Sequence, residues 1–523
     1  GRFSGINPDK LREAHPARGQ YAEIIEERCL FAICRMAGSS EGESRIAVSV
    51  DGKTRLFLEG EIFNLGEVLG RKGLSPAECC LALFREDRLG DFKGLNGSFA
   101  LLILDARDAP RLLLVTDRLC SRPIYLFQKD GQCCFATNMA ALLSFPQVDR
   151  RLCMQGLVEY FAVRRTSLDH TLYENVRVVP PASIWSFDGG APAIKTYWRM
   201  RWKPAPCNRN EAPEALAEHL RKAVRRRIGG DKKCALLLSG GLDARAILAA
   251  ADRPLKTITL APFENAEADP ARRIAEATGS EHVFIQVPPG KVEEGFLDAL
   301  SYGGGNYIPP FNFFPAAPEI AEHCDVALSG YGIDYTVRGM YMNNVFLRLG
   351  GAVTQVPRLR RASKDQLADQ VAETLRYRLP AAVLRRIFHP PLSAECEVRL
   401  RQSVREALVP HEEEGIDPQN GWDSYTLCPL SKHYTFGDLL FLRHFVETRT
   451  PAYDRDLFDF FLSMPPAWRC SGKVFRKALQ ILSPKLARLP TSNTGFRADM
   501  GPWTALGLVL GRAALRRTGV VSR

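Results

Sequence analysis

Short apolar runs broken by turn residues fill the first two hundred residues. Runs at 45–50, 55–58, 98–104, 111–115, 124–127 and 133–136 each have the length of a strand, which predicts a β-rich α+β layered domain. The segment Trp202-Lys-Pro-Ala-Pro-Cys-Asn-Arg-Asn-Glu-Ala-Pro213 is polar and proline-rich and reads as a linker. Beyond it the period lengthens. A helix over 214–227 leads to a strand at 235–238, and a second helix to a strand at 256–260. A helix over 269–278 then precedes strands at 283–287 and 326–328. Strands alternating with helices predict a doubly wound parallel sheet, whose ligands lie beyond the carboxyl ends of the strands. From about residue 360 the pattern is mostly helical. The chain is expected to be α/β, divided into residues 1–200 and 213–523.

Two strand ends carry the candidate chemistry. After the apolar run ending at Leu238, Ser239-Gly240-Gly241 forces a tight turn, and the residues from Asp243 to Ala251 favour a helix. Such a turn clusters backbone N–H groups at a helix start, which suits a phosphate, and Asp243 suits a magnesium ion held against it. Alone, the turn also reads as an ordinary strand–turn–helix with glycines for tightness. It is not a Walker loop, because no Gly-Lys-Ser/Thr closes it. The second end, Val326-Ala-Leu-Ser-Gly-Tyr-Gly-Ile-Asp334, repeats the design, with Ser329, Gly330 and Gly332 in the turn. Acids at two adjacent strand ends, Asp243 and Asp334, can share a magnesium ion that bridges ATP phosphates. Tyr331 sits at the same edge, either as a catalytic group or as a packed ring.

Composition narrows the partners. At 523 residues the chain exceeds one ordinary core, and 46% hydrophobic with 25% charged residues describes a soluble globular protein. No apolar run reaches the roughly 18 residues that span a bilayer, and the start lacks the apolar core of a secretory signal. The 14 cysteines fall singly or in adjacent pairs, without Cys-x-x-Cys spacing, which argues against a zinc site or a secreted disulfide framework and favours a cytosolic, reducing home. The net charge of +11 is dispersed over arginines, and the densest clusters, 221–227 and 358–361, lack interleaved aromatics. The expected partners are therefore small anions such as ATP, carboxylates or a peptide, with no nucleic acid and no membrane. A homodimer is compatible with the sequence, which does not set the oligomeric state.

Taken together these residues resemble the asparagine synthetase family of ATP pyrophosphatases. Leu238, Ser239, Gly240, Gly241 and Asp243 are similar to its pyrophosphate loop, although Ala244 stands where a second serine is usual. Asp269 and Gly279-Ser-Glu-His282 resemble the nucleotide-side segment. Glu447-Thr-Arg-Thr-Pro451 with Asp454 resembles the Glu-x-Arg-x-Pro-x-x-Asp core. Lys473, with Arg476 three residues on, resembles the element that neutralises pyrophosphate and the developing oxyanion. The first domain is similar to the family's Ntn-hydrolase-like glutamine amidotransferase half at Glu59-Gly-Glu-Ile-Phe-Asn64, Leu95-Asn-Gly-Ser-Phe-Ala100 and Thr116-Asp-Arg-Leu-Cys-Ser-Arg-Pro-Ile-Tyr125.

The departures set the expected reaction. A glutaminase of this kind needs an N-terminal cysteine, but Ser4 takes its place with three residues ahead of it. Glu59 replaces the Asn that helps stabilise an oxyanion, and Asn138 falls where a Glu is usual. Without ammonia from glutamine, the amine must come with a substrate. That is the logic of β-lactam and carbapenam synthetases, whose Gly-Tyr-Gly-x-Asp is similar to the residues from Gly330 to Asp334 here. The resemblance implies an ATP- and magnesium-dependent cyclo-ligase acting on an amino-acid-derived or peptide substrate. Tyr331 would be its base and Lys473 its oxyanion and phosphate contact. Asp438 would be the acid partner of Tyr331, although its spacing to Glu447 is about one helical turn short. A loop over 302–315, rich in Gly, Pro and aromatics, would shield the adenylate from water. Peptide macrolactam cyclisation, intermolecular ligation and a non-catalytic nucleotide-binding scaffold are the alternatives.

Overall fold

The computed structural model describes residues 20–517 apart from 27–28, 36–44, 72, 130–131, 189–190, 231, 265–267, 306–312, 343, 350–351, 360–366, 375–378, 413–416, 434 and 493–494. Ser4 and the middle of the 302–315 loop lie outside the described residues. So do two residues of the 358–361 arginine cluster.

The first half is built from alternation. In Thr54–Ile62 and Gly97–Asp105 the side chains of Leu56, Leu58, Leu101 and Ile103 turn to one face, where they meet Ala77, Cys80, Leu83 and Phe84 of the helix Pro76–Arg85. That helix starts where Ser75 and Glu78 form a reciprocal capping box ahead of Pro76. The sheet is antiparallel, in the order Ala193–Thr196, Ser183–Phe187, Arg111–Thr116, Gly97–Asp105, Thr54–Ile62 and Ile46–Val48. Its opposite face, through Ala100, Leu114 and Trp185, packs on Ile124, Leu126 and Val179, next to a second antiparallel sheet of Gln132–Ala136, Tyr125–Lys129 and Val176–Val178. Met139 and Leu142 of the helix Met139–Leu143 close that sheet's far side. Helix, sheet, sheet and helix stack as four layers, the β-rich α+β arrangement expected.

The second half is a five-stranded parallel sheet ordered His282–Gln286, Lys256–Ala261, Cys234–Leu237, Val326–Ser329 and Glu447–Arg449. Along the strands side chains alternate between two cores. Leu236 and Leu328 face the helices Ala212–Ile228 and Lys473–Leu482, while Ala235, Leu237, Ile258 and Ala327 face the other side. Chain order runs outward one way from Cys234–Leu237 to His282–Gln286, then the other way from Val326–Ser329 to Glu447–Arg449. The reversal falls between Cys234–Leu237 and Val326–Ser329, whose register pairs Leu237 with Ser329. A doubly wound sheet opens a ligand crevice at such a switch point, and both serine turns leave the sheet there.

Two local readings change. The stretch after Trp202 carries no regular element until the helix at Ala212, yet it does not run free. Trp202 Nε1 donates to Ser424 Oγ (3.0 Å) and its ring meets Phe461 edge-on at 5.2 Å. The fifth strand, Glu447–Arg449, lies in a region whose pattern predicts helices.

Candidate active site

The two turns emerge side by side and are held by close backbone approach. In the first, Gly241 N donates to Ser239 Oγ (3.3 Å), and Leu238 is tied at both ends, its N–H to Ile258 O (2.8 Å) and its carbonyl to Thr259 Oγ1 (2.7 Å). A Cβ on Gly240 would stand 2.7 Å from Ser492 Cβ and 2.9 Å from Pro270 Cβ. The buried Arg245 fixes a distant segment against this turn, donating to the carbonyls of Gly240 (3.1 Å), Leu486 (3.1 Å), Leu489 (2.6 Å) and Pro490 (2.9 Å). In the second turn Tyr331 N donates to Ser329 Oγ (3.2 Å). A Cβ on Gly330 would press into Ala244 N at 2.6 Å, and one on Gly332, at φ +92°, into Tyr453 Oη at 2.6 Å.

Asp243 opens the helix Asp243–Ala250, and Arg338 donates to its Oδ2 at 2.6 Å. Its other oxygen, Oδ1, is buried with no partner among the described residues, and burial raises the carboxyl against the pull of Arg338. Asp334 is pushed up to about 7, first by burial and then by the charge of Asp243. Two half-buried carboxylates at adjacent strand ends, Asp334 raised by the charge of Asp243 and Asp243 with one oxygen unpartnered among the described residues, fit a divalent cation. Among the described residues no group of three or more His, Cys, Asp or Glu side chains is placed to hold a metal ion on its own. An ion here would therefore draw its remaining oxygens from phosphate and water, as magnesium does.

The hydroxyl of Tyr331 makes a hydrogen bond with Nδ1 of His433. Asp438, the acid that the resemblance offers as partner of Tyr331, lies buried on the helix Phe436–Leu442 one turn beyond His433. Burial, helped by the charge of Arg165, holds the His433 imidazole down at about 3, so it is neutral in ordinary buffers. Tyr335 packs on His433 at 4.2 Å and stacks on Tyr341 at 4.1 Å, and Phe436 and Tyr453 lie 5.5 and 6.3 Å from the Tyr331 ring. The residues from Leu430 to Lys432 form a 3-10 turn, which His433 N closes on Leu430 O (2.9 Å). No hydrophobic period marks His433, whereas Asp438 is singled out by its place upstream of the Glu447 core.

Lys473 is the first residue of the helix Lys473–Leu482, following Gly472 at φ +64°. A Cβ on Gly472 would lie 3.3 Å from Arg338 O and 3.9 Å from Arg476 Nε. The Asp243 partner and the predicted Lys473–Arg476 pair thus converge, giving an electropositive edge suited to phosphate. Arg476 is lowered by burial and by the charge of Arg338. No motif or periodicity in the sequence marks Arg338. Asp269 instead lies on an exposed helix start, paired with Arg273 at 3.0 Å.

The Glu447-x-Arg449-x-Pro451-x-x-Asp454 residues face the first half of the chain. Glu447 accepts from Arg122 (2.5 Å) and Arg449 pairs with Glu61 (2.7 Å), which also holds Lys232 (2.8 Å). Asp454 accepts from Arg227 (2.5 Å), Arg226 (3.0 Å) and Asn96 (2.9 Å). The Arg122–Glu447, Glu61–Arg449, Glu61–Lys232 and Asn96–Asp454 contacts brace the two halves, while Arg226 and Arg227 hold Asp454 from within the second. In the first half, Glu59 pairs with Arg122 at 3.4 Å. Asn138 caps the helix Met139–Leu143 by accepting from Ala141 N (2.9 Å).

With turns, acids and cations at a parallel-sheet switch point, the molecule is a nucleotide-type α/β protein preceded by a layered β domain. The asparagine synthase family model matches residues 215–492, over half of the chain, and a glutamine amidotransferase domain model matches residues 16–198. The chain belongs to the asparagine synthase family. It is 27% identical over 356 residues to a carboxyethyl-arginine beta-lactam-synthase of Streptomyces clavuligerus, covering 62% of this chain and 64% of the relative. It is also 27% identical over 300 residues to an asparagine synthetase [glutamine-hydrolyzing] 1 of Bacillus subtilis, covering 53% and 46%. The chain thus spans about half to two-thirds of these curated relatives. Among solved structures, a glutamine phosphoribosylpyrophosphate amidotransferase from B. subtilis gives a TM-score of 0.26 at 12% identity over 56% of this chain and 67% of the other. That score carries no argument about this chain. Among the described residues no helix is long and apolar enough to cross a membrane.

Proposed function

We propose that this chain adenylates a substrate carboxylate and joins it to an amine that the same substrate carries, closing a lactam ring of the β-lactam type in natural-product biosynthesis, without hydrolysing glutamine. The observation that carries the reading is the Tyr331–His433 pair at the turn that also holds Asp334. The likeness to a beta-lactam-synthase supports it, as does the Glu59 carboxylate in the amidotransferase-like half.

ATP is a substrate in this reading and lies over the Ser239 turn. The carboxylate attacks the α-phosphorus, giving acyl-adenylate and pyrophosphate. Asp243 and Asp334 would hold a magnesium ion, which when bound supplies positive charge to the phosphates. Arg338 then serves as the cation that neutralises Asp243 when no metal is bound. Lys473 and Arg476 face the leaving pyrophosphate and the oxyanion that forms at the acyl carbon.

The amine must lose a proton as the amide forms. Tyr331 takes that proton on its oxygen as a phenolate, and neutral His433 positions the oxygen by donating Nδ1–H to it. The tautomer with its proton on Nδ1 makes this hydrogen bond without the imidazole becoming charged. Holding amine and acyl carbon in one site supplies the proximity that a strained ring requires. Asp438 remains the proposed acid of this region, acting from the helix beside His433.

Pyrophosphate release tests the reading. Amino-acid-derived substrates bearing both a carboxylate and an amine should release it with MgATP alone. Release that requires glutamine or ammonium, or none with any substrate, would overturn the proposal.

A further inference from the structure

Beside the Ser239 turn stands a hydroxyl that the proposed chemistry does not yet use. Ser492 N donates to Gly240 O (3.2 Å), Pro490 O accepts from Arg245 (2.9 Å), and Thr491 N donates to Phe496 O (3.0 Å), so this segment is fastened to the turn. Ser492 Oγ lies 2.9 Å from the place a Cβ on Gly240 would take. The oxygen is buried and has no hydrogen-bond partner among the described residues. Buried hydroxyls are nearly always paired, because an unpaired one forfeits its bonds to water for nothing in return. Inside the turn, the next position is Ala244, which has no hydroxyl, and its backbone is closed over by Gly330.

Resting on the reading of this turn as a phosphate site, we infer that Ser492 donates its hydroxyl to a β- or γ-phosphoryl oxygen of the nucleotide. The C-terminal segment thereby supplies to the turn a donor that the turn's own helix lacks at Ala244. A hydroxyl aimed at an anionic oxygen makes a charge-assisted hydrogen bond, which accounts for a buried donor with no partner among the described residues. The Arg245 clamp places the segment, and Gly240 permits the approach.

The test is calorimetric titration of the full chain and its Ser492→Ala variant with magnesium α,β-methylene-ATP and, separately, with AMP, alongside thermal unfolding without ligand. The expected result is about tenfold weaker binding of the triphosphate analogue, unchanged binding of AMP, and a melting temperature equal to or above that of the wild type. Equal affinity of variant and wild type for the analogue would overturn the inference. So would a variant that melts lower and loses AMP to the same degree, since that is a structural role. A wild-type chain that binds no analogue would overturn the phosphate-site reading itself, and the wild-type titration separates the two failures.

Discussion

The hydroxyl of Tyr331 and Nδ1 of His433 share a hydrogen bond although 102 residues separate them in sequence. Because burial keeps His433 neutral down to about pH 3, the phenol faces an uncharged hydrogen-bond partner throughout the physiological range. Replacing Tyr331 by Phe removes the proposed proton path and leaves the turn glycines in place. Product formation should fall by about a hundredfold or more, while substrate-dependent ATP–pyrophosphate exchange continues. A Tyr331→Phe variant that forms product at the wild-type rate would remove Tyr331 from the chemistry.

The same histidine predicts a pH dependence of stability. Its folded value, about 3, lies below the roughly 6.5 of an exposed imidazole, so below pH 6.5 the unfolded chain binds a proton that the folded one refuses. Folding should lose up to about 1.4 kcal/mol per pH unit from this group as pH falls from 6.5 towards 3. Denaturant titrations at pH 7 and pH 5 should show a smaller acid loss for His433→Asn than for wild type. Equal losses would place the imidazole in a solvated environment.

Local pattern made most of the fold legible. The six first-half strands between 45 and 136 and the four parallel strands from 234 to 329 follow from alternation and from strand–helix succession, and the ends of the latter disclosed both turns, whereas the strands at 20–35 and 176–196 lie outside that prediction. Glu447–Arg449 escaped because Glu-Thr-Arg has no apolar alternation. It is buried because Arg122 and Glu61, hundreds of residues away, cancel its charges. His433 and Arg338 escaped for a related reason, since only the tertiary fold brings them to Tyr331 and Asp243.

The buried charge cluster at Asp454, which Asn96 ties to the first half, should contribute strongly to stability. Burial alone would raise the Asp454 carboxyl, but Arg227, Asn96 and Arg226 hold it at about 2. Asp454→Ala leaves Arg227 buried without its carboxylate, so chemical denaturation should show a loss of about 3–5 kcal/mol. A loss below about 1 kcal/mol would mean that water or another group replaces the pair.

Gly332 is expected to tolerate no side chain. Its φ of +92° and the 2.6 Å approach to Tyr453 impose both backbone strain and a clash. Gly332→Ala should abolish nucleotide-dependent thermal stabilisation and lower stability by more than about 1 kcal/mol. Normal stabilisation by MgATP would show that the turn relaxes freely.

The most direct test of the central claim follows oxygen from the substrate carboxylate. With a substrate that supports pyrophosphate release, labelled with oxygen-18 in its carboxylate and offered without glutamine or ammonium, mass spectrometry should find one labelled oxygen in AMP. The product should be lighter than the substrate by the elements of water. Unlabelled AMP, or label in the pyrophosphate or in free phosphate, would contradict adenylation followed by attack of the substrate's own amine.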